Sequence, residues 1–251
     1  MSHRKQMAPT MGTRYRRCVI NVVSMHLVAV DAVWDDGPDA GRWIADRLAP
    51  FGPSVGHAVP LGYPAYAVVP IPADDEPEGD RGPLSVIEAL LDVLGPFTGD
   101  QPVHSGMWEG WGWWYDTGAD PRTAPGMGVS IGWPEGDARP AQDVIDRALA
   151  DAREHLAAER VERPDVELLD LPARRYYLWT GPLRSATAFR HQPQDPPSLI
   201  WPEDRSWFVG VPIYANEIAV AGTTVLVNAI LTDQRLNAHP ATPNDVLDID
   251  D

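Results

Sequence analysis

Cysteine, lysine and long apolar runs are scarce in this chain of 251 residues. Cys18 and Lys5 are the single examples of their kinds. No internal disulfide can therefore form, and we expect a protein of the reducing cytoplasm. No apolar run approaches the roughly 18 residues that a membrane helix needs, so we predict no membrane partner. These absences favour a chain that folds around its own apolar core.

Sequence signatures of cofactor and metal sites are also missing. The chain has no phosphate-binding lysine motif and no Gly-x-Gly-x-x-Gly after a strand, so nucleotide cofactors have no support. Its seven histidines are scattered, without the spacing that metal ligands show. We therefore expect no cofactor and no metal.

Positive charge is in short supply. The chain has 20 Lys+Arg against 36 Asp+Glu, which gives a net charge of −16 at pH 7. Residues 1–17 carry five of the positive charges and no acid, which leaves −21 on the rest of the chain. A field of that sign repels phosphate backbones. We therefore predict no nucleic-acid partner. The negative charge either serves solubility, or it indicates a basic protein partner or mimicry of nucleic acid.

Charge and composition divide the chain into three segments. We predict a disordered basic tail at 1–17, a single α+β domain at 18–242 and an acidic tail at 243–251. The length suits one large domain. The 26 prolines and 21 glycines predict numerous loops within it.

The spacing of apolar residues predicts the helices and strands. Helical spacing predicts amphipathic helices at 83–95, ended by Gly95, and at 138–160, and favours shorter helices at 40–49 and 223–236. Apolar or alternating runs predict strands at 18–30, 65–69, 165–171, 174–180 and 206–214. Prolines place 65–69 and 206–214 at sheet edges or strand ends. Because the elements mix without a regular rhythm, we predict an α+β fold: an antiparallel-rich mixed sheet packed against about four helices.

The most unusual stretch is MWEGWGWWYD, residues 107–116, which holds four tryptophans and a tyrosine within eight positions. As a strand it would place alternate aromatic rings on one face and glycines on most of the other. That aromatic wall would either pack in the core or bind a ligand or partner by stacking. Its candidate binding residues are Trp108, Glu109, Trp111, Trp113 and Tyr115.

A second candidate is LIWPEDRSWFVG, residues 199–210, where two tryptophans bracket a charged turn. An arginine beside two carboxylates commonly forms a charge-assisted pair that fixes a turn. Alternatively, the arginine clamps an anion or Glu203 accepts a proton. The candidate binding residues here are Trp201, Asp204, Arg205 and Trp207. We expect the two tryptophan-rich segments to lie side by side and to shape one partly accessible recess.

Four stretches carry a resemblance to other proteins: WEGWG, RYYLWTGPL, WPEDRSWFVG and TDQRLNAHP. They resemble a group of actinobacterial hypothetical proteins with a Trp-Pro-x-Asp-Arg-x-Trp element late in the chain. The likeness spans most of residues 43–240. That group has no established activity, so the resemblance implies no catalytic residue.

Two functions are compatible with these patterns, and a purely structural domain with every tryptophan buried is a third possibility. The leading hypothesis is a non-catalytic binding protein, immunity-like or regulatory, whose aromatic and acidic surface binds a basic protein or a small aromatic-stacking ligand. The alternative is a hydrolase that acts on a carbohydrate-like substrate, with Glu109 and Glu203 as acid and base. That chemistry needs two carboxylates facing each other across a cleft, at about 5–10 Å.

Overall fold

A computed structural model describes residues 31–72, 83–111, 141–158, 164–187, 196–213 and 216–248. The predicted basic tail and the predicted strand at 18–30 lie outside these residues. So do Trp113 and Tyr115, two of the candidate binding residues.

Nine strands form one sheet in which every pairing is antiparallel. They are β1 (Val33–Trp34), β2 (Ala65–Pro70), β3 (Val103–Trp108), β4 (Leu169–Leu171), β5 (Arg174–Gly181), β6 (Leu199–Pro202), β7 (Phe208–Gly210), β8 (Glu217–Gly222) and β9 (His239–Ala241). Their order is β1-β5-β3-β6-β7-β8-β2-β9, and β4 also pairs with β5. The predicted α+β fold with an antiparallel-rich sheet is confirmed.

Five α-helices and a 3₁₀ turn at Leu183–Thr187 complete the described part of the chain. The α-helices are α1 (Arg42–Ala45), α2 (Val55–Ala58), α3 (Pro83–Thr98), α4 (Gln142–Ala158) and α5 (Thr224–Thr232). The prediction that Gly95 ends α3 is wrong, since the helix continues through Pro96 to Thr98. Gly99 follows with a φ of +61°, a conformation that glycine adopts without steric cost, and this residue terminates the helix.

One face of the sheet is covered by α3 and α5. Their apolar stripes interlock with strand residues in one continuous core, because helical spacing turns these side chains to the same side. Leu90 and Leu94 of α3 and Ile230 of α5 are fully buried there. The Thr223 side chain caps α5 by accepting a hydrogen bond from the Leu226 amide at 3.2 Å.

The opposite face carries a second core beneath the loop-rich segment 40–61. Ile44, Val55 and Val59 of that segment contribute fully buried side chains. Trp201 and Phe208 meet them from the sheet. The sheet is therefore apolar on both faces at its centre, which is the environment in which uninterrupted apolar strands occur.

Two strands for which prolines predicted a sheet edge or a strand end lie inside the sheet, and each proline lies at or beyond the end of its strand. β2 lies between β8 and β9, and Pro70 is its last residue. The strand predicted at 206–214 is shorter than expected: β7 covers Phe208–Gly210 and lies between β6 and β8. Pro212 falls beyond its end, where no ladder amide is needed.

The acidic end of the chain is tied to the domain as far as Asp248. The amides of Val55 and Gly56 donate to the carbonyls of Asp245 and Pro243 at 2.9 and 2.8 Å. Leu247 donates its amide to the Pro53 carbonyl at 2.7 Å, and its side chain is buried. Residues 243–248, predicted as a tail, thus pack with the loop-rich segment 40–61, and together they form the cover over the second core.

Candidate functional site

The described part of the first tryptophan-rich segment, 107–111, and the second segment lie at opposite ends of β3. Trp108, its last residue, is opposite Tyr176 of β5, whereas Trp201 is opposite His104 near the start of the strand. The Glu203 amide donates to the Pro102 carbonyl at 3.0 Å, so the charged turn adjoins the residue just before β3. The described part of the aromatic stretch, 107–111, therefore does not form one recess with residues 199–210, contrary to expectation; residues 112–116 lie outside the described part.

The same geometry separates the two carboxylates of the hydrolase alternative. Glu109 follows the end of β3, and Glu203 lies beside Pro102 before its start. Seven residues of extended chain span roughly 23 Å. Two carboxylates that act on one glycosidic bond lie about 5–10 Å apart. Glu109 and Glu203 do not face each other across a cleft.

Trp201 and Trp207 are core residues, contrary to their prediction as binding residues. Trp201 is stacked between the rings of His104 and Phe208, with centroid distances of 5.3 and 5.7 Å. Trp207 points into the core on the other face, where its indole donates to the Thr98 hydroxyl at 3.1 Å. Both side chains are buried, because the strands around them have covered faces on either side.

The segment between these tryptophans, residues 202–206, is named here the acidic turn. Its backbone is fixed at several points: the Asp204 amide donates to the Gln101 side chain at 2.9 Å, and the Arg205 carbonyl accepts from the Tyr63 hydroxyl at 3.0 Å. The Asp204 carboxylate accepts from the Ser206 amide at 2.9 Å. Partial burial acts to raise the pKa of Asp204, but hydrogen bonds from Ser206 and Gln101 outweigh it and lower that pKa.

Arg205 does not form the carboxylate pair that its sequence context favours. Its φ is +57°, and its guanidinium lies over the Trp43 ring, 5.0 Å from the centroid. Among the described residues it has no ion pair. The acidic turn therefore presents Glu203 and Asp204 without a neutralising partner from the same turn.

A buried histidine of β3 contacts the acidic turn. His104 Nε2 lies 2.6 Å from the Glu203 carboxylate, and its Nδ1 lies 2.7 Å from the Thr180 hydroxyl. Thr180 in turn donates to Asp35 at 2.7 Å. The ring of His104 thus connects Glu203 to Asp35 through Thr180. Sequence reasoning missed this network, because its four members are far apart in the chain.

Asp35 is the inner end of the network. Burial raises its pKa above the ordinary value, the hydrogen bond from Thr180 and the charge of His104 oppose the shift, and the charges of Asp36 and Glu203 add to it. A raised folded-state pKa means that the folded protein holds its proton to higher pH than the unfolded chain does. The contribution of Asp35 to stability is therefore lost as the pH rises through the folded-state pKa.

We expect Asp35→Asn, which cannot ionise, to gain stability relative to the wild-type protein as the pH is raised from 4 to 7. Urea unfolding at each pH gives the free-energy difference between the two proteins. Asp245→Asn is the matched control: it removes the same charge where hydrogen bonds from Thr242 lower the pKa. An equal gain in both variants would show that relief of the net negative charge, and not burial of Asp35, causes the effect.

The aromatic segment turns away from the sheet directly after β3. Trp108 is half-buried, and Trp111 packs edge-on against it with ring centroids 5.7 Å apart. Gly110 lies so close to the Trp108 ring that any side chain there would collide with it. Glu109 is paired with Arg175 at 2.6 Å. Trp111 thus lies past the strand end and does not extend a flat aromatic wall.

The chain matches no protein-family model, and comparisons with curated proteins and with solved structures find no significant similarity. Within the described residues, no group of three or more His, Cys, Asp or Glu side chains is placed to hold a metal ion. No described helix is long and apolar enough to cross a membrane. The site geometry is therefore the basis for any functional proposal.

Proposed function

We propose that this protein is a non-catalytic, cytoplasmic binding protein that uses its acidic turn to recognise a basic segment of another protein. An immunity or regulatory protein that neutralises a basic effector is the concrete form of this function. The observation that carries the proposal is the arrangement of the turn, whose backbone is fixed while its two carboxylates face solvent.

The fixed backbone supports recognition in a specific way. Glu203 is 64% exposed, yet one of its carboxylate oxygens is held by His104. Asp204 is exposed and bound at its amide and its carboxylate. Side chains that are already ordered lose little entropy when a partner binds, so more of the contact energy remains as affinity.

The surrounding charge supports the choice of a basic partner. Asp36 is exposed, and its charge acts on Asp35 together with that of Glu203, so these acids share one neighbourhood. The net charge of −16 adds a long-range attraction for cations. Complementary charge of this kind raises the association rate and selects partners by sign.

A basic peptide serves as the probe. We expect a fluorescent nonalysine peptide to bind the wild-type protein at low salt, and Glu203→Gln/Asp204→Asn to weaken that binding about tenfold, since two exposed charges are removed from one site. Fluorescence anisotropy measures both affinities. The matched control is Asp143→Asn/Asp151→Asn on the exposed face of α4, which changes the net charge by the same amount. This control should bind within about twofold of the wild-type protein.

Carbodiimide coupling then locates the contact, because it joins carboxylates to lysine amines only where they touch. Peptide mass spectrometry should find the coupled peptide at the acidic turn. Two results contradict the proposal: equal weakening in both double variants, or coupling spread over α4 as strongly as over the turn. Either would show that the probe responds to net charge alone.

A further inference from the structure

Two arginines lie over one indole ring at the acidic turn. The ring belongs to Trp43 of α1, and it is packed edge-on against Phe208 of β7 with centroids 6.0 Å apart. The guanidinium of Arg205 lies 5.0 Å from the centre of the Trp43 ring, and that of Arg47 lies 5.6 Å from it. Arg47 and Arg205 are exposed, and they are named here the arginine pair. The acidic turn therefore adjoins two cations as well as carrying two carboxylates.

The backbone holds both members of the arginine pair in place. The Arg47 amide donates to the Ile44 carbonyl at 2.9 Å, and the Arg47 carbonyl accepts from the Leu61 amide at 2.7 Å. The Arg205 carbonyl accepts from the Tyr63 hydroxyl at 3.0 Å. Arg205 also has a φ of +57°, a conformation that costs a non-glycine residue about 1–2 kcal/mol and persists only where the surrounding structure requires it. The position of the pair is therefore set by the fold.

Neither member of the arginine pair is neutralised. Among the residues that the structure describes, Arg47 and Arg205 have no ion pair, whereas Arg184 pairs with Asp31 at 2.6 Å. A guanidinium that lies over an aromatic ring still presents the N–H groups of its edge, which match the two oxygens of a carboxylate. In a chain with 36 acids against 20 bases, two neighbouring arginines without a carboxylate are available to one from another molecule.

The arginine pair and the acidic turn share one neighbourhood. Burial raises the pKa of Tyr63, the charges of Arg47 and Arg205 oppose the shift, and the charge of Asp204 adds to it. All three charges thus act on the same hydroxyl group. Arg205 follows Asp204 directly in the chain, so their Cα atoms are about 3.8 Å apart. A segment that docks on the acidic turn therefore meets charges of both signs.

We infer that the arginine pair binds a carboxylate of the same partner segment whose basic residues contact the acidic turn. This inference rests on the proposed function and narrows the partner from a basic segment to one with an acidic residue among its lysines and arginines. A purely basic segment would place like charge against the arginine pair, and a purely anionic ligand would be repelled by Glu203 and Asp204. Only a segment of mixed charge is complementary to both parts of the surface.

The probes are two nonalysine peptides in which the fifth residue is replaced, by glutamate in one and by glutamine in the other. Fluorescence anisotropy at low salt gives both affinities, and the measured quantity is the affinity of the glutamate peptide divided by that of the glutamine peptide. We expect Arg47→Gln/Arg205→Gln to lower this ratio about fivefold relative to the wild-type protein, because two exposed charge pairs are lost. The glutamine peptide should bind this variant at least as tightly as the wild-type protein, which also shows that the variant is folded.

Arg184→Gln/Arg235→Gln is the matched control, because it makes the same charge change at two exposed arginines outside the acidic turn. Its ratio should stay within about twofold of the wild-type value. Arg47→Lys/Arg205→Lys, which keeps both charges but not the planar fork, should give an intermediate ratio.

The inference is overturned if Arg47→Gln/Arg205→Gln leaves the ratio at its wild-type value, or if the control lowers the ratio as much. Either result leaves the proposed function standing, provided that the glutamine peptide still binds and loses affinity in Glu203→Gln/Asp204→Asn. If neither peptide binds the wild-type protein, the proposed function and this inference fail together.

Discussion

Replacing Trp201 with alanine is expected to lower the free energy of unfolding by about 3–5 kcal/mol. The side chain is almost completely buried and lies between the rings of His104 and Phe208. Its removal eliminates the buried area of a large aromatic residue and both stacking contacts, and leaves a cavity between two strands that cannot close together. Urea unfolding followed by circular dichroism measures the loss.

Trp108→Ala is the comparison variant, because the same residue type is removed from a half-buried position at the strand end. We expect it to cost roughly 1–2 kcal/mol. If Trp201→Ala lowered the free energy of unfolding no more than Trp108→Ala does, the assignment of Trp201 to the core would be wrong. The prediction of Trp201 as a binding residue would then stand again.

Adding a single methyl group at Gly210 is expected to destabilise the protein by about 3 kcal/mol. A Cβ atom there would collide with the carbonyl oxygen of Ala58, in the cover above β7. Gly210 is itself held between Leu199 of β6 and Ala219 of β8, so its backbone cannot retreat. The added Cβ atom would meet a backbone atom, and no flexible side chain can move aside to relieve the overlap.

Gly37→Ala is the matched control for this variant. Nothing lies within 4 Å of a Cβ atom built at Gly37, so the same substitution should change the free energy of unfolding by no more than about 0.5 kcal/mol. Thermal unfolding of the two variants compares them directly. A melting temperature for Gly210→Ala equal to that of the wild-type protein would mean that the cover does not rest on β7 as closely as the structure has it.

Local pattern predicted four of the five described α-helices and the class of the fold, but it missed the four-residue α2. The repeated apolar positions of α3 and α5 show which side chains face the sheet, and the antiparallel sheet follows from the absence of a strand–helix rhythm. Helix ends were less predictable: Gly95 is compatible with a helix end, but Gly99 lies four residues later and adopts the left-handed conformation. Sequence alone does not show which of two glycines, four residues apart, ends the helix.

The site was harder to predict than the fold, because its geometry depends on strand order. Alternation in β7 places Trp207 and Phe208 on opposite faces, but the sequence does not show that both faces are covered. The distance between the aromatic segment and the acidic turn depends on the antiparallel register of β3 and β6. A parallel pairing of those strands would have brought the two segments to the same end.

The pairing of β2 has a consequence for how this chain folds during synthesis on the ribosome. β2 is complete at Pro70, but its two neighbours, β8 and β9, follow almost 150 residues or more later in the chain. Until both have emerged, this strand of apolar side chains has two edges with unpaired backbone N–H and C=O groups, the kind of surface on which nascent chains aggregate. Closure of the sheet must therefore wait until β9, His239–Ala241, has been made, and the sequence Tyr-Ala-Val-Val of β2 is the stretch that a chaperone would need to shield meanwhile.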